Sequence, residues 1–330
     1  MTIRRILLVS IAIPALVTSC GPEAELPPAS PATEVSAPAS QDTSTGLRTS
    51  SFFENPHATV ADYLACLRAE DIMLISAHRG GPLPGYPENA IETLENTLAH
   101  GPMLIETDVR TTADGVFVLL HDEDLERTTT GSGLLSETTY ADLQDVRLRD
   151  NRGRVTDFSI PTLEEAVGWA QERAILQLDV KRGTPIDSVV EMVAAWDALP
   201  HALVIAYTTD DALRASNAHP DATVSVSIYD RGRLDSLERQ GMNLDRITAW
   251  TGTEAEDPDL WSALNARNIS AAWGSFRTLD DEVERTGDTT QFARLADEGL
   301  DILSSDLHKQ AFDAVEMRQN TRAALARCNG

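Results

Sequence analysis

Positive charge is what this chain has least of: 27 Lys and Arg stand against 52 Asp and Glu, a formal net charge of -25. A surface so acidic repels phosphate backbones over most of its extent, which makes nucleic acid a poor partner unless a bound cation changes the local sign and obliges any phosphate chemistry to import positive charge. Cysteine is scarce as well, three in 330 residues, so each has to be accounted for separately. The apolar run Ile6 to Val17 is too short for a comfortable membrane span, and no internal repeat is evident. What remains, 42% hydrophobic residues over this length, suits one large globular domain or two small ones.

Residues 1–19 carry Arg4 and Arg5 and no acid ahead of that apolar run, the pattern of a secretory signal. The run ends Val17-Thr18-Ser19-Cys20-Gly21, which resembles the lipobox at which bacterial signal peptidase cuts before a cysteine that becomes lipidated. Residues 20–50 are mostly Pro, Ala, Ser and Thr without apolar periodicity, a composition that cannot bury enough surface to fold and reads as a tether. The expectation is an exported protein, anchored to a membrane of the bacterial envelope through Cys20 and facing the periplasm or the outside. The folded part is then residues 51–330. An oxidising compartment permits a disulfide between the two remaining cysteines, Cys66 and Cys328, and a closed barrel would bring these ends together.

From about residue 52, short β-branched runs alternate with amphipathic stretches of ten or more residues, the mark of repeated βα units. Strands are predicted at 72–77, 103–109, 174–180, 202–207, 223–228, 246–250, 269–273 and 301–305. Eight such strands predict a (β/α)8 TIM barrel. Helices are predicted at 57–69, 88–99, 161–172, 185–198, 231–240, 278–298 and 306–326. A ninth run, Val116 to Leu120, follows the second strand too soon for a parallel crossover and must return antiparallel, as a β-hairpin excursion at the barrel mouth.

Four segments put polar groups where barrel strands end: His78-Arg79-Gly80-Gly81, Glu106-Thr107-Asp108, His121-Asp122 and Asp179-Val180-Lys181. That end of the strands forms the active face of this fold. Glu106 and Asp108 share a strand face, as do Asp179 and Lys181. If the hairpin loop spans Thr112 to Gly115, Thr111 pairs with Val116 and His121 falls opposite Glu106; a two-residue loop keeps that parity, whereas a three-residue loop would turn His121 away. Converging carboxylates would repel one another and raise their own pKa values unless a divalent cation keeps them ionised. Oxygen ligands suit Mg²⁺ or Ca²⁺, so Glu106, Asp108 and Asp179 are the candidate metal ligands. His78 and His121 are the candidate acid and base of a phosphodiester cleavage, their individual roles open. Arg79 and Lys181 are candidate donors to the phosphate oxygens.

With these residues the chain resembles the glycerophosphodiester phosphodiesterase family. The matching pieces are His78-Arg79-Gly80, Pro87-Glu88-Asn89, Ile105-Glu106-Thr107-Asp108-Val109-Arg110, Asp114-Gly115 with the run to His121-Asp122, Arg127-Thr128-Thr129, Gly131-Ser132-Gly133 and Pro161-Thr162-Leu163-Glu164-Glu165. The resemblance implies a TIM barrel, a divalent metal, paired histidines at His78 and His121, and hydrolysis of deacylated phospholipids to an alcohol and sn-glycerol 3-phosphate. It puts two metal carboxylates on Glu106 and Asp108 and a phosphate-binding arginine on Arg79. The family's usual Glu-x-Lys reads Asp179-Val180-Lys181 here, one methylene shorter, and its usual Thr-Asp-Arg-Pro reads Ser305-Asp306-Leu307-His308. Glu88 and Asn89 are candidate supports of the metal ligands, Glu88 equally a helix N-terminal acid.

Asp-x-Lys also resembles the sphingomyelinase D enzymes, so an alternative is a phosphodiesterase of the sphingomyelinase D or lysophospholipase D kind acting on lysolipids. A noncatalytic envelope lipoprotein is the alternative outside enzymes. Trp250, Trp273 and Phe276 are candidate pocket walls. No protein partner is expected.

Overall fold

Nine strands emerge in the computed structural model, which describes residues 57, 59–171 and 173–329. The leader, Cys20 and the tether lie outside the described residues. In chain order the strands are β1 (Leu74–Ala77), β2 (Leu104–Thr111), β3 (Phe117–Leu119), β4 (Leu176–Val180), β5 (Ala202–Ala206), β6 (Thr223–Ser227), β7 (Ile247–Trp250), β8 (Ser270–Gly274) and β9 (Ile302–Ser305). All but β3 pair in parallel in the spatial order β1-β9-β8-β7-β6-β5-β4-β2, and β1 pairs with β2 to close the ring. This is the (β/α)8 barrel predicted from the alternation.

Period-two alternation splits each strand between two environments. Ile75, Ile105, Leu178, Val204, Val224 and Leu303 point outward into the core shared with the surrounding helices. Leu74, Leu104, Ile175, Leu203 and Ile302 belong to a separate core at the start of the strands, where helix Val60–Ala69 packs Val60, Tyr63, Leu64 and Leu67 against them. Each such buried side chain contributes about 1.5–3 kcal/mol, so the helix plugs the barrel end opposite the mouth. The C-terminal helix Thr321–Cys328 packs beside it through Ala324 and Leu325. Cys66 and Cys328 are disulfide-bonded across this contact, their Cα atoms 5.9 Å apart.

Three sequence expectations need correction. The stretch 278–298 forms two helices, Leu279–Thr286 and Thr290–Asp297, because Gly287 adopts φ 73 and ends the first. The stretch 306–326 likewise divides into His308–Glu316 and Thr321–Cys328. The hairpin register differs by one residue: Thr111 pairs with Phe117, not Val116. The turn therefore holds five residues, closed by the Thr112 N–H on the Val116 carbonyl at 3.0 Å. Continued unbroken, this odd spacing would aim His121 away from Glu106.

Candidate active site

β1 ends in a backbone conformation that few sequences tolerate. Arg79, Gly80 and Gly81 have φ of 51, 82 and 82, left-handed values natural to glycine and costly for arginine. A Cβ on Gly80 would lie 2.4 Å from Leu94, and one on Gly81 would lie 2.6 Å from Thr97 and 2.7 Å from the His308 ring. The turn delivers His78 to the mouth and aims the Arg79 backbone N–H at Glu106 Oε2, 2.6 Å away.

Glu106 and Asp108 project inward from β2, and Asp179 does so from the neighbouring β4, with Asp108 and Asp179 in direct register. The three buried carboxylates each offer a ligand atom within 4.8 Å of the others. Lys181 Nζ lies 2.7 Å from Asp108 Oδ1 and 2.5 Å from Asp179 Oδ2. The Tyr207 hydroxyl also donates to Asp179 Oδ2, at 2.6 Å. Two carboxylate oxygens, Glu106 Oε1 and Asp179 Oδ1, are buried without a hydrogen-bond partner, a costly state that a positive ligand would relieve. An all-oxygen set with such orphaned atoms fits a hard divalent cation. Burial and then the Asp108 charge push the Glu106 carboxyl up to about 8. Burial opposes ionisation of Asp108 too, but the Lys181 ammonium and then His121 outweigh it and hold its carboxyl below the ordinary value.

Asn89 stands at φ 62 and hydrogen-bonds to both the side chain and the backbone of Asp108. Arg79 Nη1 lies 3.2–3.3 Å from both Glu88 oxygens, so Glu88 holds one arm of the guanidinium, while Nε is buried without a hydrogen-bond partner. Glu88 also takes a two-pronged ion pair from Arg127, whose Nη2 reaches Asp122 Oδ1 at 3.0 Å. The helix begins only at Ile91, so Glu88 serves these arginines and not the first turn.

His121 reaches the site despite the register. The ladder ends at Leu120, whose N–H bonds to the Asp108 carbonyl at 3.0 Å. The chain then bends, and Arg110 Nε fixes the bend by donating to the His121 carbonyl at 2.8 Å. His121 Nδ1 lies 2.7 Å from Asp122 Oδ1, and His78 Nδ1 lies 2.7 Å from Asp306 Oδ1. Each ring is thus oriented by a carboxylate through the same nitrogen. Burial alone would lower the His78 imidazole, but the Asp306 hydrogen bond and the Glu106 charge raise it above its usual value.

A cavity of about 280 Å³ takes in both imidazoles with Glu106, Asp179 and Lys181. Trp250 and Phe276 line it as expected, Phe276 stacked on His78 at 4.5 Å, whereas Trp273 is buried in the outer core. Sequence reading missed Tyr207, Tyr229 and the role of Asp306. The rim position of Tyr207, one residue beyond β5, was an available signal for the first.

Fold and site together define a barrel protein that gathers three carboxylates and two oriented imidazoles at the C-terminal ends of its strands. The chain belongs to the glycerophosphoryl diester phosphodiesterase family, whose model matches residues 78–304. A solved family structure from Parabacteroides distasonis is 30% identical over 79% of this chain and 93% of that one, with a TM-score of 0.73. An Oleispira antarctica phosphodiesterase, solved in complex with the product sn-glycerol-3-phosphate, shares the fold at 22% identity and a TM-score of 0.60, over 74% of this chain and 97% of that one. Mouse glycerophosphodiester phosphodiesterase 1 is 37% identical over 107 residues, 32% of each chain. The chain spans about a third of the length of the first such curated relatives.

Proposed function

We propose that the chain hydrolyses glycerophosphodiesters to an alcohol and sn-glycerol 3-phosphate, with His78 and His121 as the proton-transferring pair. One observation carries this reading: two imidazoles, each bonded through Nδ1 to its own carboxylate, border one cavity with the Glu106–Asp108–Asp179 cluster. One ring takes a proton from the attacking oxygen, that of water or of the neighbouring glycerol hydroxyl, as that oxygen bonds to phosphorus; in the second case water then opens the cyclic diester. The bond from phosphorus to the head-group oxygen breaks, and the second ring returns a proton to that oxygen. Glu106, Asp108 and Asp179 would hold Mg²⁺ or Ca²⁺, which when bound supplies positive charge to the nonbridging oxygens. Lys181 adds a cationic donor at the same cavity, while Arg79, through its backbone N–H, positions Glu106.

Glycerophosphocholine, glycerophosphoethanolamine and glycerophosphoglycerol, assayed with and without added Mg²⁺ or Ca²⁺, test the proposal through release of glycerol 3-phosphate. Turnover confined to lysolipids would favour the sphingomyelinase D-like reading, and no turnover of any diester would favour the noncatalytic one. Anchoring in the envelope belongs to the same proposal and is supported by the Val17–Cys20 segment alone. Cys20→Ser should release the protein from the membrane fraction.

A further inference from the structure

A second cavity, about 550 Å³, opens beside the first and shares His121, Lys181, Ile205 and Tyr207 with it. Its sign runs against that of the chain. Arg110, Lys181, Arg182 and Arg214 line it against a single acid, Asp211. That acid is already engaged, accepting the Thr208 hydroxyl at 2.7 Å with Arg214 3.8 Å away. Arg214 is tied to Asp187 at 2.5 Å, and Lys181 serves the carboxylate cluster. Arg110 spends only Nε, on the His121 carbonyl. Among the described residues neither Arg110 nor Arg182 is ion-paired, and Glu123 in the adjoining hollow pairs with neither. Two helices, Ile186–Ala195 and Thr209–Ala218, begin at this wall, with Ile186 and the cap residue Thr208 lining it. Their amino ends add partial positive charge.

A diester phosphorus placed between His78 and His121, which border the first cavity, would send its two ester arms in different directions. The first cavity offers one arm an aromatic wall of Tyr229, Trp250 and Phe276. The other arm passes His121 into the basic cavity, which is roomy for ethanolamine or choline and places arginines where either would bring a positive charge. We infer that this cavity receives a leaving alcohol that carries a further phosphate, so that glycerophosphodiesters of phosphorylated polyols are the preferred substrate class. The inference rests on the phosphodiesterase reading above and deepens it.

The test compares kcat/KM for bis(glycerophospho)glycerol with that for glycerophosphocholine. Arg182→Glu is the informative variant, because Arg182 is exposed and holds no other group in place. The ratio should exceed one in the native chain and fall at least tenfold in Arg182→Glu, chiefly through KM of the bisphosphate. Arg173→Glu, an equal change of net charge at the far end of β4, should keep the native ratio. A ratio unmoved by Arg182→Glu, or lowered equally by Arg173→Glu, overturns the subsite while leaving glycerophosphocholine turnover, and with it the phosphodiesterase reading, intact. Absence of turnover of both substrates by the native chain overturns both.

Discussion

Asn89 brackets Asp108: its Nδ2 donates to Asp108 Oδ2 at 2.7 Å while its Oδ1 accepts the Asp108 backbone N–H at 2.9 Å. The amide spends both ends on one carboxylate residue and thereby fixes a candidate cation ligand. Asn89→Ala should weaken binding of Mg²⁺ or Ca²⁺ about 10–100-fold, read by isothermal titration. Asn89→Asp sets a like charge against Asp108 and should lose more. Native affinity in Asn89→Ala would show that Asp108 needs no such support.

Replacing His121 with Ala should lower hydrolysis by about 10²–10⁴-fold with the circular dichroism spectrum unchanged. Asp306→Asn should act more mildly and differently. The Asp306 hydrogen bond helps hold the His78 imidazole above its ordinary pKa, so its loss should move the limb of the pH–rate profile that reports His78 to lower pH. A limb that stays in place would separate the two residues functionally.

Stripping divalent ions with a chelator should abolish hydrolysis and also lower the melting temperature, because a cation that binds only the folded chain stabilises it by about 2.7 kcal/mol at one hundred times its Kd. Glu106→Gln should remove both the activity and the melting response to added ion. Full activity after exhaustive chelation would contradict the cation's role.

The Cys66–Cys328 bond joins the plug helix to the last helix over a separation of 262 residues. Cys66→Ser with Cys328→Ser should cost about 2–4 kcal/mol in denaturant unfolding and leave kcat near native at low temperature, since the mouth lies at the other end of the barrel.

Asp301 offers a pH test outside the site. Burial raises its carboxyl to about 7, and the Ala271 N–H that it accepts offsets this only in part. Unfolded aspartate ionises near 3.9, so between about pH 4 and 7 the folded chain holds a proton that the unfolded chain has lost. Stability should fall as pH rises through that window, by at most about 4 kcal/mol, and level off above it. Asp301→Asn, which retains an acceptor for the Ala271 N–H, should flatten the slope in urea unfolding from pH 4 to 8.

The barrel was legible because each parallel strand, β-branched and buried, is separated from the next by helical periodicity, and all eight predicted barrel strands occur. Helices Thr209–Ala218 and Pro258–Asn265 escaped notice. The first buries only the small Ala212 and Ala215 on its apolar face, too weak a stripe to stand out, and the second, though it buries Leu260, Trp261 and Leu264 behind its Asp257 cap and Pro258, is only eight residues long, too short for the periodicity to repeat. At the site, residues on regular strands were legible because period two assigns their faces, as for Glu106, Asp108 and Asp179. His121 was reached by a wrong register, since a backbone bend held by Arg110 has no periodic signature. The Arg79–Glu88 contact had no signature for a similar reason: a left-handed residue points its side chain where strand alternation does not predict.

The turn Thr112–Val116 is consequently a length gauge for the catalytic mouth. Surface loops ordinarily absorb insertions and deletions at small cost, but one residue more or fewer here would flip the facing of β3 and displace the exit point from which His121 swings inward. Lineages carrying this barrel should vary that turn in composition far more freely than in length.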